Sequence, residues 1–96
     1  MSFRLRILSA ANGRPTSYDG QYVKDYDPGR DGEDSTGQPM FAYLEGTDDP
    51  EAARAFETVE EAAAFWKMVD PRQPQRPDGE PNRPLTFFTV EIKAGP

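Results

Sequence analysis

Carboxylates and phenols are the side chains here with chemistry to offer. Acids come in adjacent pairs at Glu33-Asp34, Asp48-Asp49 and Glu60-Glu61. Acid–base catalysis needs two of them in a cleft that pushes their pKa values apart. Acids adjacent in a loop or at a helix start more often serve as caps and partners of the helix dipole. The 96 residues include no histidine and no cysteine, which removes Ser-His-Asp triads, thiolate or imidazole zinc sites, haem ligation and disulfides. No phosphate-cradling Gly-Lys loop occurs. What remains is a carboxylate, Tyr, Ser, Thr, Lys or a hard metal, and no spacing of these makes a recognisable catalytic constellation. The expectation is a non-enzymatic protein with no catalytic, metal-ligating or cofactor-binding residue.

Three stretches invite a binding reading. Asp27, Asp31 and Gly32 fit positions 1, 5 and 6 of an EF-hand calcium loop, but position 3 is Gly29 and position 12 is Gln38. Both flanks read as strands, so a solvated turn is the better account. Pro71-Arg-Gln-Pro-Gln-Arg76 fits the PxxPx[KR] ligand pattern of SH3 domains; a structural proline connection explains it more simply. Tyr18, Tyr22, Tyr26 and Tyr43, with Phe41, could form an aromatic surface. Base stacking on such a surface requires a basic groove around it, whereas tyrosine as a protein-interface anchor tolerates acidic neighbours.

Charge decides between these uses. The chain carries a formal charge of -6, distributed unevenly. Residues 1–18 hold Arg4, Arg6 and Arg14 and no acid, while residues 19–61 hold thirteen acids against Lys24, Arg30 and Arg54. That block argues against direct nucleic-acid contact, because phosphates are held by basic groups. It suits solubility or a basic partner surface. The candidate partner-binding set is therefore Asp25, Asp27, Asp31, Glu33 and Asp34, with Tyr22 and Tyr26 as anchors. No apolar run approaches the roughly 20 residues of a membrane span. Arg4 and Arg6 interrupt the N-terminal apolar residues, so no signal peptide is read there and a cytoplasmic location is expected.

The elements that must position these residues follow from periodicity. Phe3, Leu5 and Ile7 alternate with Arg4 and Arg6, as in a half-buried strand. Residues 20–26 read as a second strand, with Tyr22, Lys24 and Tyr26 on one face and Gln21, Val23 and Asp25 on the other. Residues 27–38 hold no large apolar residue and read as a mobile acidic loop. Met40, Ala42 and Leu44 mark a third strand that Gly46 ends. Asp49-Pro50 signals a short helical start running to Phe56. Thr58 and Glu61 make a capping box before a helix whose stripe is Val59, Ala62, Ala63, Trp66 and Val69, widened by Phe65 and Met68 and stopped at Asp70-Pro71. Five prolines in residues 71–84 predict an extended connection. Leu85–Ile92 is the last strand, with Phe88, Val90 and Ile92 on one face. The order β-β-β-α-β describes one α+β domain spanning residues 1–96: a single antiparallel or mixed sheet with one main helix on one face.

Several stretches resemble a group of small acidic bacterial and phage-type proteins: Gly20-x-Tyr22-Val23, Thr47-Asp-Asp-Pro50, Ala55-Phe56 with Glu61-Ala62 and Trp66, and Arg76-Pro-Asp-Gly79-x-Pro-Asn-Arg-Pro-Leu-Thr86. The resemblance implies a phage or mobile-element origin and carries no activity with it. Together with the charge, it points to an interaction module whose carboxylates stand in for phosphates, for example an inhibitor of a host restriction or CRISPR complex. An assembly protein that self-associates through the edge of its last strand, as in a homodimer, is the alternative. A small carboxylate-based hydrolase or isomerase is a third.

Overall fold

A computed structural model describes residues 2–33, 36–40 and 42–95. Four strands, β1 (Ser2–Ala10), β2 (Tyr22–Asp27), β5 (Tyr43–Thr47) and β6 (Phe88–Gly95), form an antiparallel sheet in the order β5-β2-β1-β6. Two short strands, β3 (Gly32–Glu33) and β4 (Pro39–Met40), pair as a separate hairpin. One helix, α1 (Val59–Trp66), packs on one face of the sheet, so the α+β architecture read from periodicity is the one observed.

The pairing of β1 with β6 shows why these residues make a sheet. Leu5 lies opposite Ile92 and Ile7 opposite Val90, all turned toward the helix, while Arg4 and Lys93, and Arg6 and Glu91, share the outer face. A bulge leaves Leu8 without a partner between Ile7 and Ser9, which explains its exposure. A second bulge falls at Lys24, between the pairs Val23–Gly46 and Asp25–Glu45. The extra residue breaks the alternation, so Val23 and Tyr26 both turn inward and both are buried. The expected grouping of Tyr26 with Tyr22 and Lys24 is thereby corrected. Beyond the pairing of Arg6 with Tyr22, β1 and β2 diverge. Residues 54–56 bridge the gap: Phe56 exchanges two backbone hydrogen bonds with Phe3, each 2.8 Å, and the Arg54 amide donates to the Val23 carbonyl.

Phe56 is thus in a β-bridge rather than at the end of a short helix. Asp49 does cap a single turn, accepting from the Glu51 amide at 2.9 Å, and the chain then extends. In α1 the Thr58 hydroxyl accepts from the Glu61 amide at 3.1 Å. The Glu61 carboxylate reaches back one residue past the cap, to the Glu57 amide at 3.2 Å. The buried stripe is Ala62 and Phe65, with Trp66 partly covered; Val59 and Met68 are exposed. The helix ends at Trp66, before Asp70-Pro71.

The third strand is divided: Met40 belongs to β4 and Leu44 to β5, which runs through Gly46 rather than ending there. Phe41 lies outside the described residues. Gly32 is required where β3 passes β5, since a Cβ there would come within 2.8 Å of the Tyr43 backbone. The Pro-rich segment also departs from an extended connection. It folds back on itself as an arm, with Gln75 bridged to Pro81, the Arg76 amide bonded to the Glu80 carbonyl, and Gly79 at φ 85° making the turn. A 3-10 helix (Pro84–Phe87) then leads into β6, burying Leu85 and exposing Phe87.

Candidate functional site

The acids expected to contact a partner are dispersed by the fold. The Asp25 carboxylate accepts from the Tyr26 amide at 2.9 Å and lies 3.7 Å from Arg54. Asp27 is exposed and accepts from the Gly29 amide, and Glu33 is exposed on β3. Asp31 is held by Arg72 at 2.8 Å; Asp34 lies outside the described residues. Tyr22 is half-buried on the outer face. Tyr26 is not an anchor but a core residue, 5% exposed, edge-on to Phe65. Its hydroxyl accepts the buried Leu85 amide at 3.1 Å. Burial pushes that phenol up to about 12, with a further push from Asp70 and Asp27, partly offset by the Leu85 hydrogen bond.

The described part of residues 27–38 is not free of the body. Arg72 donates to Asp31, to the Pro28 carbonyl and to the buried Asp70 carboxylate, and Pro28 itself is buried. The Arg72 guanidinium is raised above its usual value by the hydrogen bond to Asp31, with Asp70 adding to it. Asp27 and Asp31, two of the three calcium-loop matches, are therefore spent on a turn and an ion pair. Among the described residues no three acids converge where a metal ion could sit. On β5 the Tyr43 hydroxyl donates to Glu45 at 3.0 Å, which raises its pKa, and the Arg30 guanidinium lies 4.4 Å from the centre of the Tyr43 ring.

Two features were not visible in the residue pattern. The first is a concentration of free carboxylates. Asp48, Asp49, Glu51, Glu57, Glu60 and Glu61 are all exposed, and among the described residues none of them forms an ion pair. The only base in residues 48–61, Arg54, is drawn to Asp25. These acids read as caps in the sequence, and Asp49 and Glu61 do cap. Capping engages a carboxylate without neutralising it, however, and the stretch stays strongly negative. The outer face of β1 and β6 has the opposite character. Arg4, Arg6 and Lys93 surround one acid, Glu91, and Arg4 is 8% exposed with an unpartnered Nε.

The second is a cleft of about 1300 Å³ between the Pro-rich arm and the sheet. Its floor includes Tyr18, Met40, Leu44, Trp66, Leu85 and Phe88, and its rim carries Lys67, Arg72, Arg76 and Arg83 with Asp31, Asp70 and Glu80. The only sequence signal for it is slight: residues 62–96 hold five bases against four acids. Nothing local indicated that those bases and the strand residues would face one space.

Comparison with protein-family models, with curated proteins and with solved structures finds no match to this chain.

Proposed function

We propose that the protein is a non-enzymatic interaction module that docks an acidic face on a basic protein surface. The observation that carries this reading is the run of six exposed, unpaired carboxylates at residues 48–61. An unpaired carboxylate keeps its full field, and such fields steer association and select a complementary partner. Asp27 and Glu33 extend the acidic character, with half-buried Tyr22 available at the margin. Asp25 and Asp31 contribute less because Arg54 and Arg72 already neutralise them. The partner class is a basic, nucleic-acid-handling protein, and a phage or mobile-element inhibitor of a host restriction or CRISPR complex is one instance. In that role the carboxylates occupy the place of phosphates.

The test is a pull-down from lysate at low salt, eluted by raising salt, beside the same experiment with Glu57→Lys/Glu60→Lys. A basic protein released by salt and lost with the variant supports the reading. A partner retained at high salt, or indifferent to charge reversal, overturns it.

Self-association is the second reading, favoured by β6. This eight-residue strand pairs with β1 on one side and, among the described residues, has no partner on the other. A two-fold axis at Ile92 would set Glu91 of one copy against Lys93 of the next, an opposite-charge pair on the outer face. Sedimentation at increasing concentration distinguishes a dimer from the monomer that this reading excludes.

A further inference from the structure

The cleft between the Pro-rich arm and the sheet lies apart from the acidic stretch, and we infer that it binds an extended peptide segment of a partner protein, one carrying apolar anchor side chains beside a carboxylate. Three observations support this occupant.

Size is the first. At about 1300 Å³ the cleft exceeds the roughly 300–1,000 Å³ usual for a small-molecule site, so it has room for a length of chain.

The chemistry of the floor is the second. The polar atoms of its aromatic residues are already engaged within the protein. The Trp66 indole N–H donates to the Leu85 and Phe88 carbonyls at 3.1 and 3.2 Å. The Tyr26 hydroxyl accepts the Leu85 amide, and the Tyr18 hydroxyl donates to the Met40 sulfur. Tyr18, Tyr26, Leu44, Leu85 and Phe88 are themselves buried, so an occupant meets the apolar surface that stays accessible along the cleft: half-covered Trp66 and Met40 and the exposed ring of Phe87. Apolar side chains suit such a surface, with binding driven by the area they remove from water.

Charge is the third. Asp31 and Asp70 are committed to Arg72, and Arg76 is paired with Asp78. Among the described residues Lys67 and Arg83 form no ion pair. Both lie at the base of the arm, where the Asp70 amide bonds the Asn82 carbonyl. Glu80, the remaining rim acid, lies beside the Gly79 turn at the tip. In a chain of net charge -6, two free cations over an apolar floor select an anion at the arm's base. A basic peptide would meet no free carboxylate there.

The experiment uses the full chain against a displayed library of random peptides about twelve residues long, followed by a synthetic peptide of the enriched consensus. Trp66 is the only tryptophan and lines the cleft, so occupancy reads out in its emission. The expected result is enrichment of apolar residues flanked by Asp or Glu. The synthetic peptide should change Trp66 emission, and Lys67→Glu/Arg83→Glu should weaken its binding by about tenfold or more at low salt. Both substituted side chains are exposed, and circular dichroism checks that the variant is folded. Glu57→Lys/Glu60→Lys should leave peptide binding intact, which separates this inference from the acidic-face reading. No enrichment, enrichment of basic peptides, an unchanged Trp66 signal, or affinity indifferent to reversal at Lys67 and Arg83 would each overturn it.

Discussion

Replacing Tyr26 with Phe removes one oxygen from the centre of the molecule, and the structure sets what that should do. The ring stays, edge-on to Phe65, so no large cavity forms. The buried Leu85 amide, which donates to that oxygen at 3.1 Å, loses its acceptor. An unsatisfied buried donor costs about 1–3 kcal/mol, so Tyr26→Phe should lose about 1.5 kcal/mol at pH 8. For a domain of this size that lowers Tm by roughly 4–8 °C per kcal/mol.

The same oxygen makes the effect depend on pH. Burial raises the phenol from 10.0 to about 12 in the folded chain, so the folded state favours the protonated form. That contribution is complete below pH 10 and is lost as pH rises toward 12. At pH 11 the unfolded phenol is mostly ionised and the folded one is not, a tenfold bias against folding worth about 1.4 kcal/mol. The wild type should lose that increment between pH 8 and 11, and the variant should not. Urea melts of both proteins at the two pH values measure it. The gap of about 1.5 kcal/mol at pH 8 should close almost completely at pH 11, with the other tyrosines and the lysines cancelling in the difference. A gap of equal size at both pH values would refute the burial argument, and no gap at pH 8 would refute the hydrogen bond.

Trp66→Phe should cost about 1 kcal/mol in the same melts through loss of the N–H shared by the Leu85 and Phe88 carbonyls, and Trp66→Ala about 3 kcal/mol, because the side chain is only partly buried. Thr58→Ala should cost about 1 kcal/mol by leaving the Glu61 amide uncapped, seen as a lower denaturation midpoint at unchanged m-value. Arg72→Met should leave the sheet amides protected while speeding hydrogen exchange at Gly29 and Arg30, because it removes the contacts that tie Asp31 and the Pro28 carbonyl to Asp70.

The elements legible in the residues were those specified locally. Alternation in β1 comes from a period of two that any half-buried strand must show. The start of α1 needs only Thr58 and Glu61, three residues apart, and both make capping bonds. The composition also excluded imidazole and thiol chemistry outright, and no folding event could restore it. What stayed hidden depends on partners distant in the chain. The bulge at Lys24 follows from register against β5, and it turned Tyr26 from a surface anchor into a core residue. The Pro-rich segment reads as extended because prolines lack an amide N–H to donate, yet Arg76, Gly79 and Asn82 still supply donors that close it into an arm. Phe56 reads as the end of a helical turn until Phe3, fifty-three residues earlier, offers it two backbone hydrogen bonds.

Charge divides in the same way. The sequence by itself determined that the chain is acidic and that its middle carries the excess. Only the tertiary structure decided which carboxylates stay free, because neutralisation requires a cation within a few ångströms. Arg54 and Arg72 were brought to Asp25 and Asp31, and among the described residues no cation was brought to the acids of residues 48–61. The cleft is the clearest case. Its floor draws on residues from Tyr18 to Phe88, and apolar side chains so far apart define a surface only once the sheet, the helix and the arm have packed against one another.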